Sequence, residues 1–82
     1  MKVEISPKAQ KYLDSLNEPV KGRIKKAVAK LANNHPPQGD IKAMSGQDGF
    51  RLRVGNYRIL FKADSDSIRI HDIGLRGQIY KR

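Results

Sequence analysis

The chain has 82 residues, no Cys, and 17 Lys and Arg against 8 Asp and Glu, a formal charge of +9 at neutral pH. The absence of Cys excludes disulfides, Cys-ligated zinc and thiol catalysis. A chain this short buries only about 60% of the surface its unfolded form exposes, so one domain over residues 1–82 with a thin core is expected.

The first strand is expected at Met1–Ile5, where Val3 and Ile5 alternate with Lys2 and Glu4. Ser6-Pro7 reads as an N-cap followed by Pro at the first helical position. Ala9, Tyr12, Leu13 and Leu16 then form one apolar helix face. Asn17-Glu18-Pro19 breaks that helix. Val20, Ile24, Ala27, Val28 and Leu31 repeat the spacing, with Lys21, Arg23, Lys25, Lys26 and Lys30 on the opposite side. The two segments predict a helical hairpin whose basic outer face is solvated. Pro36-Pro37 cannot continue a helix. Residues 35–49 are therefore expected to be loop, with His35 as a surface residue and a brief apolar patch at Ile41 to Met44.

Three strands follow. Phe50–Val54 alternates strictly, Gly55-Asn56 is a turn signal, and Tyr57–Lys62 is the second run. Asp64–Ser67 marks another turn before Ile68–Ile73. The order predicts an α+β fold: an antiparallel sheet of about four strands, covered on one face by the N-terminal helical hairpin, with the first strand at an edge. No apolar run approaches the roughly 20 residues that cross a bilayer, and residues 1–20 lack the apolar core of a secretory signal. A cytoplasmic protein without membrane association is expected. A sequence pI near 10.2 points to a polyanionic partner, nucleic acid or an acidic protein. Low aromatic content argues against a single-strand binder built on several stacking rings.

Strand alternation places Arg51 and Arg53 on one face and Phe50, Leu52 and Val54 on the other, under the helices. On the next strand Arg58 shares a face with Leu60 and Lys62. A tight hairpin would bring Arg58 near Arg51 and Arg53. Guanidiniums grouped in this way repel one another unless an anion sits among them, and the planar fork of Arg grips phosphate in bidentate fashion. The tail adds Arg76, Tyr80, Lys81 and Arg82, so residues 49–82 carry eight Lys and Arg against three Asp. Nearby cations would lower the pKa of Tyr80 and make it a proton-transfer candidate. With two His residues far apart, at 35 and 71, a His-rich metal cage is not expected.

The strand–helix–helix–three-strand order, the segment Phe50-Arg-Leu-Arg-Val-Gly-Asn-Tyr-Arg58 and the ending Ile73-Gly-Leu-Arg-Gly-Gln-Ile-Tyr80 together resemble the RelE/ParE superfamily of type II toxin–antitoxin toxins, most of all its RelE branch. The resemblance covers essentially the whole chain. It implies a ribosome-dependent mRNA endonuclease that needs no metal or other cofactor and is neutralised by a cognate antitoxin. By the same resemblance the catalytic set falls on Arg51, Arg53, Arg58, Arg76 and Tyr80, with His71 and Lys81 as additional candidates. Some members carry Lys on the second strand where this chain has Arg, and Arg does not give up its proton. The implied chemistry is attack of a ribose 2′-OH on the adjacent phosphorus, with cations stabilising the phosphoryl oxygens. Tyr80, His71 and Asp72 are the local choices for the base, Tyr80 first, with Asp72 expected to pair with a neighbouring Arg. The implied partners are a RelB-like antitoxin, acidic and partly disordered when free, and the ribosomal A site with its mRNA. Two other functions fit the same pattern: a ParE-like inhibitor of DNA gyrase, and a non-catalytic basic RNA-binding domain.

Overall fold

Two helices and one face of a mixed sheet enclose the core. The computed structural model describes residues 2–34, 38–44 and 48–79. In chain order these form β1 (Lys2–Ile5), α1 (Pro7–Asp14), α2 (Val20–Asn33), β2 (Ile41–Ala43), β3 (Phe50–Val54), β4 (Tyr57–Ala63), β5 (Ser67–Leu75) and α3 (Arg76–Ile79). The strands form one sheet in the order β1-β5-β4-β3-β2.

The α+β architecture with its helical hairpin is as expected, and the sheet differs in two respects. It has five strands rather than about four, because β2 forms inside the expected loop and pairs antiparallel with β3, Lys42 opposite Arg51. A strand of three residues shows too little alternation to be recognised in sequence. The second difference is direction: β1 lies at the edge as expected but runs parallel to β5, Val3 beside Ile68 and Ile5 beside Ile70. The connection between them runs through both helices and then β2, β3 and β4, long enough for the crossover that a parallel pair requires. His35 lies outside the described residues.

Local chemistry explains the element boundaries. The Ser6 hydroxyl accepts the Ala9 N–H at 3.1 Å and donates to the His71 carbonyl at 3.1 Å, so one side chain caps α1 and ties it to β5. At the start of α2, the Glu18 carboxylate accepts the Gly22 N–H at 2.7 Å. This supplies an acceptor and a negative charge where helix N–H groups have no partner. Gly55 takes φ +58° in the two-residue β3–β4 turn, the left-handed backbone that such hairpins use. In the β4–β5 turn, Asp64 accepts N–H bonds from Asp66 and Ser67 at 2.9 and 2.8 Å. These bonds come first, and with the Ser67 hydroxyl and Arg69 they hold the Asp64 carboxyl below its ordinary pKa.

The core joins Ala9 and Leu13 of α1, Ile24, Leu31 and Ala32 of α2, and Leu52, Ile59, Phe61, Ile68, Ile70 and Ile73 of the sheet. Phe50, expected under the helices, is instead 37% exposed at the sheet's end and stacks on Phe61, ring centroids 5.6 Å apart. A β-bulge decides the face of β5. Leu60 opposes Asp72 while Phe61 opposes Ile70, so His71 is the extra residue. Strict alternation would have put Ile73 with His71 and Arg69. The bulge returns Ile73 to the core face with Ile70 and Ile68, and leaves His71 exposed.

Ile59 is fully buried on the central strand. Ile59→Ala should cost about 2–5 kcal/mol. That is a large share of the ~4–12 kcal/mol available to a domain of this size. The measurement is the urea midpoint. A shift below 1 kcal/mol would contradict the packing described.

Candidate anion-binding site on the open sheet face

With Leu52 and Ile59 committed to the core, the intervening residues of β3 and β4 face away from the helices. The register sets Arg53 directly opposite Arg58 and Arg51 opposite Leu60. Lys42 stands opposite Arg51 on the other side. Arg76, the first residue of α3, is held by its backbone N–H, which donates to the Asn56 carbonyl in the β3–β4 turn at 2.8 Å. Together with Asp40, these residues line an open pocket of about 370 Å³. Five cations therefore surround one carboxylate.

Arg58 and Arg53 are held by their neighbours. Arg58 Nη1 donates to the carbonyls of Gly55 and Tyr57, both at 2.9 Å, which holds its guanidinium at the hairpin tip. Arg53 Nε lies 2.6 Å from Asp40 Oδ2, and the Arg53 N–H donates to the Asp40 carbonyl at 2.9 Å. Both side chains of that pair are exposed, so it contributes little stability. Its effect is positional: it fastens the segment before β2 to β3 and holds a carboxylate inside the cationic pocket. The pocket is suited to a phosphate or phosphodiester, since an anion relieves the mutual repulsion and offers bidentate geometry.

Four residues singled out from sequence, Arg51, Arg53, Arg58 and Arg76, thus line one pocket. His71 does not. It sits at the bulge, where crowding by protein and then the charges of Lys62 and Lys8 push its pKa below the ordinary imidazole value, against an opposing effect of Asp72. Asp72 has Lys8 as an ion-pair partner, at 3.4 Å. Tyr80, Lys81 and Arg82 lie outside the described residues. Sequence reasoning missed Asp40 and Lys42. Lys42 carried a faint signal, a polar residue between Ile41 and Ala43. Asp40 carried none, because its place depends on how the preceding loop meets β3.

Fold and pocket define a small basic α+β protein with a cluster of cations on an open sheet face. A family model described as "ParE toxin of type II toxin-antitoxin system, parDE" matches residues 3–80. The chain belongs to that family, within the RelE/ParE superfamily, and is a toxin of a type II toxin–antitoxin system. Among solved structures it is similar to the RelB-RelE antitoxin-toxin complex from Methanococcus jannaschii, with 27% identity, a TM-score of 0.77 and 95% of each chain covered. It is also similar to the RelE-RelB complex from Pyrococcus horikoshii, with 25% identity, a TM-score of 0.78, and 94% of this chain and 96% of that one covered. The Escherichia coli RelBE complex shares the fold at 14% identity and a TM-score of 0.73, over 90% of this chain and 94% of that one. No curated protein matches the sequence.

An anion bound only by the folded state raises the melting temperature, by about 2.7 kcal/mol of stability at 100 times its Kd. Phosphate should therefore raise the Tm of the wild type more than sodium chloride of equal ionic strength does. Arg53→Ala and Arg58→Ala should lose that difference. Equal responses of all three proteins would show that the pocket holds no anion.

His71 gives a separate pH signature. Its folded pKa lies below the unfolded value of about 6.5, so the unfolded chain binds the proton more readily. The contribution of neutral His71 is complete above pH ~6.5 and is lost as pH falls from there through the folded pKa. His71→Gln should flatten this part of the stability–pH curve in urea titrations. An identical slope in wild type and variant would exclude the effect.

Proposed function

We propose that this toxin is a ribosome-dependent mRNA endonuclease that arrests translation. The observation that carries the reading is the pocket: five cations from β2, β3, β4 and the start of α3, set around the Asp40 carboxylate. RNA carries its own nucleophile. The ribose 2′ oxygen forms a bond to the adjacent phosphorus, the bond from phosphorus to the 5′ oxygen breaks, and a cyclic phosphate and a 5′-OH remain. The site must accept the 2′ proton, stabilise the extra charge on the phosphoryl oxygens and return a proton to the 5′ oxygen.

Each task has a fitting group. Arg51, Arg53, Arg58 and Arg76 are permanent donors and suit the phosphoryl oxygens. Among the described pocket residues, Asp40 is the proton acceptor, since an ionised carboxylate only accepts, whereas an ammonium or guanidinium only donates. The Arg53 contact orients Asp40 for that role. Lys42 and, from sequence, Tyr80 and Lys81 are candidates for donating to the leaving oxygen. Asp40 stands before Tyr80 as the base, and His71, at the bulge, lies outside the pocket.

The ribosomal A site and its mRNA are the proposed partners in action, and a RelB-like antitoxin is the proposed partner at rest. The structures similar at 25 and 27% identity are RelE–RelB complexes, which supports such a partner. So does charge: a +9 domain attracts an acidic, partly disordered chain that folds on contact. The described residues include no helix long and apolar enough to cross a membrane, and we assign the toxin to the cytoplasm with its target.

A second reading, inhibition of DNA gyrase, is favoured by the ParE description of the matching family. Purified toxin with translating ribosomes separates the two. Wild type should cleave mRNA in the A site, and Arg58→Ala and Asp40→Asn, folded to the same extent, should each lose about 10²–10³ in rate. Equal cleavage by wild type and variants would reject the assignment. Intact mRNA with gyrase-dependent DNA breaks would establish the second reading.

A further inference from the structure

A second cleft, of about 240 Å³, opens beside the same β3–β4 turn, lined by Val20, Arg23, Val54, Gly55, Asn56 and Tyr57. Val20 at the start of α2, Val54 and Tyr57 are half-buried against the edge of the core and supply two aliphatic walls and one aromatic ring. Arg23 and Asn56 are exposed at the rim. Among the described residues, the side chains of Arg23, Asn56 and Tyr57 make no hydrogen bond or ion pair with the rest of the protein. An amide, a phenol and a guanidinium are thus available to a ligand around a flat apolar slot.

The two sites share their border. Val54 pairs with Tyr57, one step along the hairpin from the Arg53–Arg58 pair. The pleat turns these neighbouring pairs to opposite faces. The turn between them serves both sites: the Gly55 carbonyl holds Arg58, the Asn56 carbonyl holds Arg76, and both residues line the second cleft. No neighbouring atom lies within 4 Å of the space beside Gly55, so a chain can pass closely round the tip.

We infer that the cleft is a nucleobase subsite: a base near the bound phosphodiester stacks on Tyr57 between Val20 and Val54, while Asn56 bonds its edge and Arg23 meets a flanking phosphate. The inference rests on RNA being the substrate of the cationic pocket. The size fits one ring system, being below the ~300–1,000 Å³ of pockets for drug-sized ligands. An aromatic face with an amide at its edge is a recurrent means of holding an unstacked base. An acidic peptide segment would instead be matched by several cations, and this cleft has one. Among the described residues no row of rings is exposed, which suits a protein that reads one base rather than tracking a strand.

The test uses short single-stranded RNAs, 2′-O-methylated to block cleavage, in which one abasic residue is walked along the sequence. Binding is read by fluorescence anisotropy at low salt. In the wild type, one abasic position should weaken binding roughly 5- to 150-fold, the range for one base on one aromatic ring. In Tyr57→Leu that position should cost nothing, whereas Tyr57→Phe should retain most of the penalty. Each ratio compares two RNAs on one protein, so a change in folded fraction cancels. Arg23→Gln, at an exposed position, should reduce the slope of log affinity against log salt by about 0.7, one phosphate contact on a single strand.

A wild type indifferent to the abasic walk, or a penalty that persists in Tyr57→Leu, overturns the subsite. If RNA binding still falls in Arg58→Ala, the phosphodiester reading survives that failure. RNA binding that responds to neither the walk nor Arg58→Ala rejects both. Loss in Tyr57→Leu confined to the cognate antitoxin assigns the cleft to the protein partner and likewise overturns the inference.

Discussion

Burial of Leu52, Ile59 and Ile73 on one face of three hydrogen-bonded strands compels the residues between them to face the other way, and that is how the guanidiniums come together. The strand period of two leaves no choice: once alternate side chains lie under the helices, Arg53 and Arg58 share the open face. Their proximity is unfavourable in the empty protein. It persists because a shift of one residue would expose the apolar set and bury charge, a far larger cost than repulsion between solvated cations. Stability and site geometry are thus two consequences of one register.

The β5 bulge adjusts this rule at a single point. It lets Ile68, Ile70 and Ile73 all reach the core although their spacing violates alternation. It also sets His71 outside the cationic pocket, among Lys62, Lys8 and Asp72. A residue whose ordinary chemistry suits acid–base work thus lies outside the cationic pocket. Asp40, with no such prominence in sequence, is brought in through its contact with Arg53.

The β3–β4 turn concentrates the remaining functional geometry. Its carbonyls hold Arg58 and the start of α3, and its flanks border both clefts. Under the proposed endonuclease function the toxin needs a phosphate grip for affinity and a base contact for register, since phosphate contacts carry no sequence information by themselves. A hairpin tip with cations on one side and an aromatic slot on the other offers both within the smallest possible element.

The sequence by itself determined β1, α1, α2, β3, β4 and β5 as elements, the helical hairpin, the β3–β4 turn and the pairing of Arg51, Arg53 and Arg58 on one side of the sheet. Each of these follows from local periodicity or turn chemistry. It also pointed to Arg76, which needed only its place after the last strand. Tertiary structure alone decided the parallel pairing of β1, the three-residue strand β2, the bulge at His71, the exposure of Phe50 and the entry of Asp40 and Lys42 into the pocket. These depend on contacts between segments far apart in the chain, Ser6 with His71 or Asp40 with Arg53, and no periodicity within a segment records which distant segment it will meet.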